Sequence, residues 1–143
     1  ETTKIGILQV PANMCDHRFD EAGIFNLAEK RESKIYVRSV FLQGLLLMDK
    51  CAIPERMQFA ATVIDKVEQL CREFNMSKHE LAVCYIRQKY PAAFVVIGAE
   101  TQQQLAANLA AWNLVKKVSI TERIDKIFHN VDERIINPTL WPH

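Results

Sequence analysis

Three short apolar runs, each separated from the next by helical sequence, limit this chain's fold more than any other feature. The runs are IGILQVPAN (5–13), KIYVRSVF (34–41) and AAFVVIG (92–98). Pro11 and Asn13 punctuate the end of the first strand. EAGIFNLAEKRES (21–33) follows, with Ile24, Leu27 and Ala28 on one side and charges on the other, the pattern of a short amphipathic helix. After the second run, a long loop holding Gly44 and Pro54 leads into a helical stripe of Phe59, Val63, Val67, Leu70 and Phe74, within 55–74. Ser77 and Glu80 have capping-box spacing and open a helix with Leu81, Ala82, Cys84, Tyr85 and Ile86 that stops before Pro91. Beyond the third run, Thr101 caps a helix expected to place Leu105, Leu109 and Trp112 on its core side. Residues 119–129 form a last helix, and the tail INPTLWPH, with two prolines, is expected to be irregular.

The order β-α-β-loop-α-α-β-α-α predicts an α/β fold of parallel β/α units with right-handed crossovers. The strands are apolar on both faces, as parallel strands covered by two layers must be. Three strands cannot close a barrel, and no internal repeat supplies others. The sheet edges must therefore be completed by something else or stand open as a pairing hazard.

Composition excludes several classes. The 143 residues are 49% hydrophobic and 24% charged with a net charge of +1, which predicts one soluble globular domain rather than disorder. No basic block points to nucleic acid, and Lys116 with Lys117 alone reads as a solvated face. The longest apolar runs fall well short of the roughly 20 residues of a membrane span. Cys15, Cys51, Cys71 and Cys84 lack CxxC spacing and are read as reduced thiols of a cytoplasmic protein. Cys15, Asp16 and His17 are adjacent, and three consecutive residues of an extended segment cannot converge on one metal. His79 and His129 read as ordinary surface or half-buried histidines. The chain opens a few residues before a strong strand signal, without Met or signal peptide, so it is expected to continue from preceding sequence.

VVIGAETQQQLAANL (95–109) carries the functional signal. A parallel strand running into a helix N-terminus makes a ready anion site. Gly98 allows close approach to the backbone. Gln104 and Asn108, spaced i, i+4, share a helix face and could meet a purine edge with donors and acceptors. On spacing alone the alternative is a plain capping box of Thr101 and Gln104 with a solvated remainder.

Four stretches together, ILQVPANMCDHRF (7–19), VRSVFLQGLLL (37–47), VVIGAETQQQLAANLAA (95–111) and INPTLWP (136–142), resemble the C-terminal half of an aldo-keto reductase, closest to bacterial members ending in Pro–x–Leu–Trp–Pro. The resemblance covers nearly the whole chain. It implies half of a TIM (β/α)8 barrel, a fold of about 250 residues when complete. The three strands here would be its last three. Residues 1–143 are then expected to be a single domain, the C-terminal part of an NADP-dependent barrel truncated at its N-terminus.

The resemblance also implies site residues and a cofactor, NADP or NAD. Gln9 matches the glutamine that binds the nicotinamide carboxamide. Arg38 stands where the family places an aromatic residue on the nicotinamide face. A guanidinium can stack on a flat ring but would repel an oxidised nicotinamide, and contact with the pyrophosphate is the other role open to it. Ser39 and the loop through Phe41 to Gly44 match the segment that wraps the pyrophosphate. Gly98 and Ala99, with Thr101 at the helix cap, match the 2′-phosphate region, and Gln104 and Asn108 match the adenosine contacts. Glu100 stands where relatives preferring NADP often carry a cation, and Ala107 replaces a common acid. A carboxylate repels a 2′-phosphate by about 1 kcal/mol at 4 Å in water, so weakened NADP selectivity is expected.

The family's proton donor is a tyrosine aided by lysine, aspartate and histidine, and no stretch here matches those four. Tyr36, Tyr85 and Tyr90 fall inside a strand and a helix and are expected to be core or edge residues. The chain thus reads as the cofactor side of a carbonyl-reducing oxidoreductase. The alternative is a nucleotide-binding or scaffold module without catalysis. Barrel-facing side chains, taken as Ile5, Ile7, Val37 and Val95, are expected to drive self-association or pairing with a missing N-terminal half.

Overall fold

The computed structural model describes residues 5–114 and 118–142. Its centre is a three-stranded parallel sheet in the order β1 (Ile7–Pro11), β2 (Lys34–Arg38), β3 (Phe94–Val95). Register pairs Gln9 with Tyr36 and Pro11 with Arg38, then Tyr36 with Phe94 and Val37 with Val95. Helices α1 (Arg18–Glu21) and α2 (Ile24–Lys30) join the first two strands. Helices α3 (Ala61–Phe74) and α4 (Lys78–Lys89) join the next two. Helices α5 (Gln102–Asn113), α6 (Thr121–Ile127) and α7 (Glu133–Ile136) follow β3.

Boundaries move for local reasons. The expected 21–33 helix shortens to α2, 24–30, and Gly23 at φ 72° separates it from α1, a helical turn at 18–21 that the sequence pattern did not disclose. Residues 55–60 are a 3₁₀ segment ahead of α3, and the long loop holds further 3₁₀ turns at Leu45–Leu47 and Lys50–Ala52. The second strand stops at Arg38, not residue 41, because Ser39 turns to φ 61°. That shortens β3 as well: Val96 N–H still donates to Val37 O at 2.8 Å, but no partner strand continues beyond. The tail has one 3₁₀ turn at Pro138–Leu140, and Trp141 Nε1 donates to Ile135 O at 3.2 Å.

One sheet face packs on the helices. Val10, Ile35 and Val37 are buried there, with Leu8, Val95 and Ile97 partly buried against the same core. Val63, Ile64, Val67 and Leu70 of α3 complete it, and every residue from Leu81 to Ile86 of α4 is buried. That all-round burial follows from the position of α4, which contacts α3, α5 and α6 at once. The other sheet face is bare. Ile7, Gln9, Lys34, Arg38, Phe94 and Val96 are exposed, and Tyr36 stacks on Phe94 with ring centroids 4.9 Å apart.

Two expectations about faces are corrected. Ile5 and Ile7 do lie on the open face, but Val37 is fully buried and Val95 packs against the helix layer. Strand alternation groups residues without saying which group faces the barrel interior. In α5, Leu105 and Leu109 are more than half exposed and Trp112 is 36% exposed, whereas Asn108 and Ala111 are buried. The apolar stripe exists, but among the described residues only the Arg87 guanidinium reaches over Trp112, 5.8 Å from its ring centroid, and Leu105 and Leu109 stay open.

Candidate functional site

The C-terminal ends of the strands converge on a strained loop. After Arg38, three non-glycine residues take left-handed backbone: Ser39 (φ 61°), Leu42 (φ 48°) and Gln43 (φ 52°), with Gly44 at φ 85°. Such strain persists only where the surroundings over-determine it, and it clusters at binding and switch sites. Asn13 provides the restraint. Its side chain is fully buried and donates to Ser39 O at 3.2 Å, while its Oδ1 accepts from Cys15 N at 2.9 Å and Asp16 N at 3.1 Å. Ala12 N–H adds a bond to Arg38 O at 3.1 Å. One amide thus locks the loop after β1 to the loop after β2. In the sequence Asn13 reads only as a strand stop, and the signal for its larger role is a Pro–x–Asn run leaving a strand.

Two grooves flank Ser39. The first, about 140 Å³, is lined by Ser39, Phe41, Gln43, Gly44, Ile97 and Gly98. It gathers four of the sequence-derived candidates, Ser39, Phe41, Gly44 and Gly98, from two distant stretches. The second, about 310 Å³, lies on the other side, between Pro11, Arg18, Arg38, Gln43, Asn137 and Thr139. Gln9 is exposed on the open sheet face one alternation below Pro11, on the side of Arg38.

The turn from β3 into α5 is built as its spacing suggested. Thr101 Oγ1 accepts from Gln104 N at 3.1 Å, and Gln104 Oε1 accepts from Glu100 N at 2.7 Å. Ala99, Glu100 and Thr101 are exposed. Gln104 and Asn108 do not present two matching amides to solvent. Gln104 is exposed with its carbonyl engaged in the cap, whereas Asn108 turns inward and is 8% exposed. Its Nδ2 donates to Gly98 O at 3.3 Å, which leaves Oδ1 to accept from His79 Nε2 at 2.6 Å. His79 in turn stacks on Phe41 with centroids 4.9 Å apart. The imidazole therefore joins the strained loop, α4 and α5, a role its place in a helical pattern did not disclose.

Other polar residues serve the framework. Arg18 forms a fork with Asp16 at 2.8 and 2.9 Å, and the carboxylate raises the guanidinium pKa. Tyr85 Oη donates to Asp125 at 2.7 Å and lies 2.9 Å from His17 Nε2. Burial, then the Asp125 bond, pushes the Tyr85 phenol far above its ordinary range, and burial does the same to Tyr90. Both lie in the helix layer and neither lines the two grooves at Ser39. Asp16 and His17 thus engage different partners, and burial raises the Cys15 thiol. Among the described residues no helix is long and apolar enough to cross a membrane.

A sequence model of the Aldo/keto reductase family matches residues 1–129. The chain belongs to the aldo/keto reductase family. Among solved structures, the holo form of an aldo-keto reductase from Bacillus halodurans superposes with a TM-score of 0.67 at 21% identity, covering 94% of this chain and 47% of that one. The apo form gives 0.66 at 20% identity, with 93% and 47% covered. A glycerol dehydrogenase from Gluconobacter oxydans gives 0.66 at 19% identity, with 99% and 45% covered. No curated protein matches the chain significantly. The chain spans about half the length of these structures, so its sheet has the fold of part of an aldo/keto reductase barrel.

Proposed function

We propose that this chain is the cofactor-binding part of an oxidoreductase that reduces carbonyl compounds by hydride transfer from NAD(P)H. The supporting observation is the groove at the strand ends, where Ser39, Phe41 and Gly44 meet Gly98. Gly98 lies more than fifty positions beyond the other three, and the family resemblance assigns all four to the same dinucleotide. In this reading Ser39–Gly44 wraps the pyrophosphate, the Gly98–Thr101 turn takes the adenosine ribose, and Gln9 holds the nicotinamide carboxamide. Asn108 acts mainly by fixing the turn at Gly98, because its own amide is already bonded on both sides. The bound nicotinamide would supply the hydride. The chain's residues would orient the ring over the open sheet face and exclude water beneath it.

The acid catalyst lies outside this reading of the chain, since no residue at the strand ends matches the family's tyrosine. Glu100, exposed beside the ribose position, supports NAD over NADP: it can accept from a 2′-hydroxyl and repels a 2′-phosphate. Isothermal titration of the protein with NADH and NADPH tests the reading. Binding of NADH, weakened by Gln9→Ala, is expected. Absence of heat from both nucleotides would defeat it.

A further inference from the structure

The larger groove beside Ser39 contains a charge that the fold leaves unbalanced. Of its two arginines, Arg18 is committed to Asp16 at 2.8 Å and also lies 3.9 Å from Glu133. Arg38 pairs with no carboxylate among the described residues. Among those residues its one side-chain hydrogen bond runs from Nη1 to Ser39 Oγ at 3.1 Å. That bond uses one donor, aims the guanidinium, and leaves the hydroxyl proton of Ser39 free to be donated. Gln43, whose left-handed backbone puts it at the same rim, adds an exposed amide. At about 310 Å³ the groove falls at the lower end of small-ligand sites.

We propose that Arg38, with Ser39 and Gln43, forms an oxyanion site that takes a carboxylate or phosphate group. A guanidinium fork matches either group with two parallel hydrogen bonds. The site rests on the dinucleotide reading for its setting but not for its chemistry. The anion is the acidic group of a carbonyl substrate, because the pyrophosphate of the dinucleotide is assigned to the groove on the other side of Ser39. An aromatic residue at this position would offer a ring face and no charge, so Arg38 changes what the strand end selects.

Malonate and inorganic pyrophosphate serve as probes, titrated calorimetrically into the protein at constant ionic strength with chloride as the reference. Both are expected to bind. Arg38→Gln should weaken them at least tenfold, and Arg38→Lys should recover part of the loss. Ser39→Ala, expected to weaken both probes severalfold, gives an independent variant should Arg38→Gln fold poorly by circular dichroism. Malonate binding that survives saturation with NADH is expected; displacement by NADH would place the anion in the cofactor's own groove and overturn the proposal. Malonate binding without any NADH binding upholds the anion site and rejects the dinucleotide reading. Heats no greater than chloride's, or equal affinity in wild type and Arg38→Gln, overturn the proposal.

Discussion

Single residues decide more here than their sequence neighbourhoods suggest. Asn13 is a fully buried amide with one donated and two accepted bonds. At roughly 0.5–1.5 kcal/mol net for each bond, Asn13→Ala is expected to destabilise the protein by about 2–4 kcal/mol. It should also release Ser39 from its left-handed conformation. A urea melt measures the first effect, and a loss under 0.5 kcal/mol would contradict it. Cysteine environments give a second check. Cys51 is exposed, while burial raises the Cys15 thiol and lowers its thiolate fraction at neutral pH. Ellman's reagent should label Cys51 quickly and Cys15 only on unfolding; equal rates would disprove the burial. Glu100→Arg reverses the charge beside the ribose position and should improve NADPH affinity relative to NADH by about tenfold. An unchanged ratio in parallel titrations would remove Glu100 from cofactor selection.

Elements show what was legible and what was not. The caps at Ser77 and Thr101 could be read directly, because a cap depends on residues three apart and on nothing remote. Strand number and parallel order were legible for a similar reason: crossover helices leave few topologies. Strand ends were not, because Ser39 adopts a conformation imposed by Asn13 from another loop. The stripe of Leu105, Leu109 and Trp112 has correct helical spacing, yet periodicity identifies a face without revealing its cover. His79 belongs to this scale too, since it links α4 to Asn108 and Phe41. His79→Ala should weaken NADH binding by about tenfold, and His79→Gln, which can still donate to Asn108, should restore part of it. Equal affinity in all three proteins would show that the linkage does not shape the groove.

At the scale of the molecule, one helix layer is complete and the opposite side of the sheet is not. Ile5, Ile7, Phe94 and Val96 lie on the open face, and the α5 stripe adds a second bare apolar surface. Burying each such side chain is worth roughly 1.5–3 kcal/mol, a large amount against a net stability of about 5–15 kcal/mol. The chain is therefore expected to associate with itself or with further barrel sequence, and Leu109→Glu should weaken that association. Multi-angle light scattering showing a stable monomer of this chain alone would contradict it. The claim on which the functional reading depends is that one dinucleotide lies across the strand ends. Amide chemical-shift mapping during an NADH titration tests it most directly. The account predicts that Gln9, Ser39, Gly44 and Gly98 shift together with one dissociation constant. Shifts confined to the helix layer, or separate affinities at Gln9 and Gly98, would contradict it.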